Sequence, residues 1–198
     1  MKLPKTKRGI QSRIKNYEDF LKYEKRTFGY YNDGGGVRYI IGPLYMLMGD
    51  IDGAVKSFNL FQRRFPDDAG QPFQYLTWIL ALYKKGKVKK AETKLMQTML
   101  INLYLVPYIF GDDINKYNFR HFLNSETKEI LAYLPDEYAN LWDKEAKEWA
   151  KSVYYGNDAT VLREKYIKLN TLLSNEPVGP RRSELVKEIY NLKNSLRK

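Results

Sequence analysis

The chain has 198 residues, 43% of them hydrophobic and 15% aromatic, with no cysteine and a formal charge of +11. That length and apolar content suit one domain that buries its own core, and they exclude wholesale disorder. The absence of cysteine excludes disulfides, a thiol nucleophile and cysteine metal sites, and it fits a reducing compartment.

The charge sits at the ends. Residues 1–26 hold nine Lys or Arg against three acids, and residues 181–198 hold six against two, which leaves +1 for the rest. A smaller basic cluster, Lys84, Lys85, Lys87, Lys89, Lys90 and Lys94, falls at a predicted turn. The N-terminus has cations but no continuous apolar segment behind them, so it lacks the form of a secretory signal, and a cytoplasmic location is expected. Met96 to Gly111 is the most apolar stretch, but Gln97, Thr98, Asn102 and Pro107 interrupt it. It falls short of the roughly 20 residues of a membrane span and is expected to be buried helix.

Helical periodicity runs almost throughout, and no convincing strand alternation occurs, so the expected class is all-α. Ile10, Ile14, Tyr17 and Leu21 share one face of a first helix that should fray near Gly29. Gly34 to Gly36 then form a loop. Further helices are expected over 37–48, stopped by Gly49; over 52–65, with Asp52 as N-cap and Pro66 beyond; over 72–85, ended by Gly86; and over 88–105, broken by Pro107. Shorter helices should follow over 114–123 and 125–134, then long ones over 136–154, 158–174 and 181–197.

Two of these helix pairs share a register. Gly49 and Gly86, Ala54 and Ala91, and Phe58 and Leu95 are each 37 residues apart. The first pair resembles the tetratricopeptide repeat, whose pattern is W-x2-L-G-x2-Y, then A-x3-F and a closing proline. The matching residues are Ile41, Gly42, Tyr45, Ala54, Phe58 and Pro66, with Arg38 in place of the tryptophan. In the second pair Tyr75, Trp78, Gly86, Ala91 and Leu95 agree in character, but Ile79 stands at the small-residue position and Leu103 at the proline. Gly42 and Ala54 lack bulk, which lets two helices approach closely, and Tyr45 and Phe58 fill the space beside that contact.

The expected organisation is one helical domain over 1–198. It comprises a basic N-terminal helix and Gly-rich loop (1–35), two repeats (36–107) and C-terminal helices (108–198). The last of these, with Trp142, Ala146 and Trp149, read equally as a degenerate third repeat or as a cap. Pro43 is awkward inside a helix that starts at 37, unless the helix begins nearer Gly42.

The resemblance implies a concave face, lined by the first helix of each pair, that receives a peptide or helix of a partner. Here it would carry Tyr39, Pro43, Met46 and Leu47, then Phe73, Leu76, Leu80 and Tyr83. This groove is apolar and lacks the Lys, Arg and Asn with which some family members hold a C-terminal carboxylate. It should be filled by the protein's own terminal helix, by a second copy, or by an amphipathic segment of another protein.

Catalytic readings are weak. Gly34 to Gly36 match no phosphate-loop or dinucleotide pattern. His121 is the only histidine and reads as a surface or packing residue, and Asp67-Asp68 and Asp112-Asp113 read as helix-boundary residues. The function expected is therefore that of a protein-interaction or adaptor scaffold without catalysis, cofactor or metal. The alternative is binding of nucleic acid or another polyanion through Lys5, Lys7, Arg8, Arg13 and Lys15, near Tyr17 and Phe20, and through Arg181 and Arg182.

Overall fold

Thr6 opens the first helix, α1 (Lys7–Phe28), by accepting the Gly9 amide at 3.1 Å on its hydroxyl, and Gly29 closes it. The computed structural model describes residues 3–197, and every regular element among them is helical. The chain is thus all-α, with helices packed on their chain neighbours in a repeat-like order. It divides into two compact units: residues 3–88 with Pro135–Leu141, and Lys89–Leu134 with residues 142–197.

In the first unit a short 3-10 turn, Val37–Tyr39, leads into α2 (Ile41–Met48). Starting at Ile41 places Pro43 in the first turn, where its amide would have no partner inside the helix, so no bond is lost and no kink is forced. The helix over 37–48 is therefore shorter than its periodicity suggests. Gly49 ends it at φ +81°, a conformation that costs glycine nothing.

Asp50, rather than Asp52, caps α3 (Ile51–Arg64), and its carboxylate accepts the Gly53 amide at 2.8 Å. Asp52 lies in the first turn, exposed and paired with Lys85. Pro72 begins α4 (Pro72–Lys84). α2 packs against α1, α3 and α4. A Cβ on Gly42 would come within 2.3 Å of the Phe58 ring, so the α2–α3 contact requires the absence of a side chain there. Phe58 stacks on Trp78 at 5.1 Å, and Ala54 is fully buried beside it.

The second unit holds most of α5 (Val88–Ile101), then α6 (Leu105–Phe110), α8 (Lys144–Tyr155), α9 (Asn157–Asn175) and α10 (Pro180–Asn194). The predicted helix over 88–105 stops early because Asn102 turns its side chain to the backbone. Its Oδ1 accepts the Tyr104 amide, and its Nδ2 donates to the Ser125 and Thr127 carbonyls. Pro107 then sits in the first turn of α6, the position Pro43 occupies in α2.

The expected helices over 114–123 and 125–134 are replaced by irregular chain and by 3-10 turns at Asn124–Glu126 and Lys128–Tyr133. Side chains take over the backbone bonding there: the Tyr104 hydroxyl accepts the Tyr117 amide, and Lys128 donates to the Ile114 carbonyl. The expected helix over 136–154 is also two. A single turn, α7 (Asp136–Ala139), belongs to the first unit, while Asp143 caps α8 afresh by accepting the Ala146 amide. Ala146, Ala150 and Tyr154 form the buried stripe of α8, and Leu169, Leu173 and Leu185 join α9 to α10.

Candidate functional site

The first-helix face of the first unit is not an open groove. Pro43, Met46, Leu76 and Leu80 are buried, and Tyr39, Leu47, Phe73 and Tyr83 are partly buried. α7 packs against α2 and α4, and its Tyr138, 3% exposed, lies face to face with Phe73 at 5.6 Å. One turn of the protein's own chain, α7 rather than the terminal helix, therefore packs beside the face for which the sequence left open the protein's own terminal helix, a second copy or a segment of another protein.

Tyr39 turns to the opposite side, where a polar clamp fixes the loop before α2. Arg38 donates from Nε to Asp68 at 2.8 Å, from one terminal nitrogen to the Asp33 carboxylate at 3.1 Å, and from the other to the Tyr39 hydroxyl at 2.6 Å. The Tyr39 hydroxyl donates on to Asp68 at 2.9 Å. Asp33, with its side chain fully buried, also accepts the Val37 and Arg38 amides. Burial pushes the Asp68 carboxyl up, but the Gly70 amide, the Tyr39 hydroxyl and Arg38 outweigh it and hold its pKa below the ordinary value. Gly36 supplies the left-handed residue that this loop needs, so the glycine run serves a turn held by Asp33.

Beside the clamp is a concavity of this unit that combines an apolar floor with a charged rim. It lies between α1 and α3 and encloses about 280 Å³. Leu21 of α1, Ile41 of α2 and Leu60 and Phe61 of α3 supply apolar floor, and Lys22, Arg38, Lys56 and Arg64 supply cations at its rim. Glu18 marks one end and accepts the Tyr45 hydroxyl at 3.1 Å. Burial, with Glu18 adjacent, pushes the Tyr45 pKa up to about 12. Sequence reasoning missed this cleft, although its signal was present: Lys56, Leu60 and Arg64 recur every four residues, which puts them on one face of α3.

The basic ends behave differently from one another. Lys5, Lys7, Arg8 and Lys15 are exposed, and Arg13 is partly buried. Arg181 instead pairs with Glu184 and Glu188, and Arg182 donates to the Leu173 and Glu176 carbonyls, closing the end of α9. The C-terminal pair is thus engaged by its own chain.

His121 bridges α9 to the irregular segment before it, with Nε2 2.8 Å from Asn170 Oδ1 and Nδ1 3.2 Å from Ser174 Oγ. The trio has the outline of a nucleophile, base and orienting residue. Ser174, however, lies in the last turn of α9, where the negative end of the helix dipole disfavours a developing oxyanion. The Asn170 amide is tied to the Tyr166 carbonyl, and the His121 ring packs edge-on against Phe122. This is a packing tether. Asp68 and Asp112 serve as side-chain anchors rather than helix caps: Asp68 in the clamp, and Asp112 accepting Lys151 at 3.0 Å and the Tyr155 hydroxyl at 2.6 Å.

No protein-family model, curated protein or solved structure matches the chain. Among the described residues no helix is long and apolar enough to cross a membrane.

Proposed function

We propose that the chain is a non-catalytic interaction module, an adaptor or scaffold of tetratricopeptide-like design acting in the cytoplasm, which receives an apolar or amphipathic segment of another protein. One observation carries the reading. α7 packs on α2 and α4 at the first-helix face, whereas the α1–α3 cleft is an apolar-floored concavity of the first unit with a recessed floor and a cationic rim. The Gly42–Phe58 contact and the glycine stop at Gly49 support the repeat-like design.

The test is site-specific photo-crosslinking in cells, with a photoreactive phenylalanine at Ser57 in the cleft and, as control, at exposed Glu148 on α8. A protein crosslinked from Ser57 and not from Glu148, with its contact peptide mapped, is the expected result. Equal capture from both positions, or none from Ser57, overturns the reading.

A second reading, polyanion binding, rests on the N-terminal cations. Lys5, Lys7, Arg8 and Lys15 are exposed and have no ion-pair partner among the described residues. Binding of mixed-sequence oligonucleotide that falls steeply with salt and is lost when these four become Gln supports it, and no binding at low salt removes it.

A further inference from the structure

We propose that the α1–α3 cleft takes an acidic amphipathic peptide segment, with an apolar side chain on the cleft floor and carboxylates on Lys56 and Arg64. The inference rests on the interaction reading and adds the chemistry of the partner.

Size comes first. An apolar cavity of roughly 150 Å³ holds a benzene ring, so 280 Å³ has room for one aromatic or two aliphatic side chains and not for a folded surface. The floor that receives them is recessed: Leu21, Ile41 and Phe61 are each less than a tenth exposed.

Charge selects the partner. Four cations stand at the rim, and two are already neutralised, Lys22 by Asp19 at 3.2 Å and Arg38 by Asp33 and Asp68. Lys56 and Arg64 have no carboxylate within ion-pair distance among the described residues, and Arg64 rests only over the Tyr31 ring, 5.7 Å from its centroid. Eight residues apart on α3, they stand about 12 Å from each other along the axis. Carboxylates two turns apart on a helical segment, or three to four residues apart on an extended one, match that separation with the apolar anchor between them.

A nucleic-acid strand fits less well. Phosphates would pair with the same cations, but bases need free aromatic faces to stack on. Phe61 and Phe65 lie 5.6 Å apart and engage each other, Phe61 also meets Tyr39 and Trp78, and the remaining floor is aliphatic.

The experiment uses the full chain and a short fluorescent peptide rich in Glu and Asp, with Phe and Leu one helical turn apart, read by polarisation at low and physiological salt. The expected result is saturable binding that weakens about tenfold or more in Lys56→Glu/Arg64→Glu. Both positions are exposed, and unchanged circular dichroism verifies the fold. A peptide with Lys in place of its acids should bind the double variant and not the wild type. A third variant, Leu60→Ser, should weaken binding without changing its salt dependence.

The inference is overturned if the acidic peptide does not bind at low salt, if the double variant binds it equally, or if oligo(dT) binds with the same dependence on Lys56 and Arg64. Any of these outcomes alongside a mapped crosslink from Ser57 removes the acidic chemistry alone. Loss of that crosslink removes the interaction reading as well.

Discussion

The ring of Tyr138 lies 5.6 Å from that of Phe73 and within 15° of parallel, a contact that joins the α7 turn to α4 in the first unit. The pairing joins residues 65 positions apart. Tyr138 is 3% exposed, and its buried hydroxyl has no hydrogen-bond partner among the described residues. A buried unpaired hydroxyl costs stability while the ring contributes it, so the two parts of one side chain act in opposite directions.

Tyr138→Phe should therefore leave stability unchanged or raise it by up to about 1 kcal/mol, whereas Tyr138→Ala should cost about 3 kcal/mol or more. Chemical denaturation reads both. Burial pushes the Tyr138 pKa well above the ordinary value, with Glu137 adding to the effect. A raised folded pKa means that the neutral ring's contribution is complete below pH about 10 and is lost as pH rises beyond it. The wild type should lose stability above pH 10 more steeply than Tyr138→Phe; parallel curves would refute the assignment.

Gly42→Ala sets two effects against each other. Alanine gains about 0.5–1 kcal/mol over glycine in a helix interior and less in a first turn, where Gly42 lies. Here the added carbon meets Phe58 Cε1 at 2.3 Å, and Phe58 is 1% exposed and stacked on Trp78, so it has nowhere to move. Overpacking of this kind costs about 1–3 kcal/mol and should win. Phe58→Leu should recover part of the loss in the double variant, giving a favourable coupling in a mutant cycle.

Helix ends written in residue type were legible: Gly29, Gly49 and Gly86 end helices, and Pro72 starts one. The close α2–α3 approach was legible too, because Gly42 and Ala54 lack bulk, although the residue against Gly42 is Phe58, which the sequence placed beside the contact. Residues 114–123 misled because their spacing of apolar residues suits a helix, yet Tyr117 and Phe119 stack on each other at 5.3 Å and side chains elsewhere take the backbone bonds. Early stops such as Ile101 depend on where Asn102 finds carbonyls, at Ser125 and Thr127, which no local pattern announces. For the same reason the Arg38 clamp and the Tyr138 stack were invisible, while the Lys56, Leu60, Arg64 stripe was visible but had no stated opposite wall until α1 was placed.

Asn102 is 1% exposed and satisfied on both ends of its amide. Asn102→Ala would strand one amide and two carbonyls, with an expected cost of about 2–3 kcal/mol. The loss should be local before it is global. Amide hydrogen exchange at Tyr104 should accelerate more than exchange in α9, whereas uniform acceleration would show that the side chain contributes only bulk.

Asp68 joins two stretches of the first unit, accepting Arg38 Nε, the Tyr39 hydroxyl and the Gly70 amide. Asp68→Asn keeps the shape but replaces a charge-assisted acceptor, and it should cost about 1–3 kcal/mol at neutral pH. The pH dependence follows from the lowered carboxyl value, since burial opposes the charge and the three donors overcome it. A depressed folded pKa contributes stability that is complete above the unfolded value, near pH 4, and that disappears as pH falls through the lower folded one. The gap between wild type and Asp68→Asn should thus be constant from pH 7 to about 5 and narrow below 4, read by urea denaturation across that range. A gap that persists unchanged to pH 2 would mean that the difference between the two does not come from the Asp68 charge.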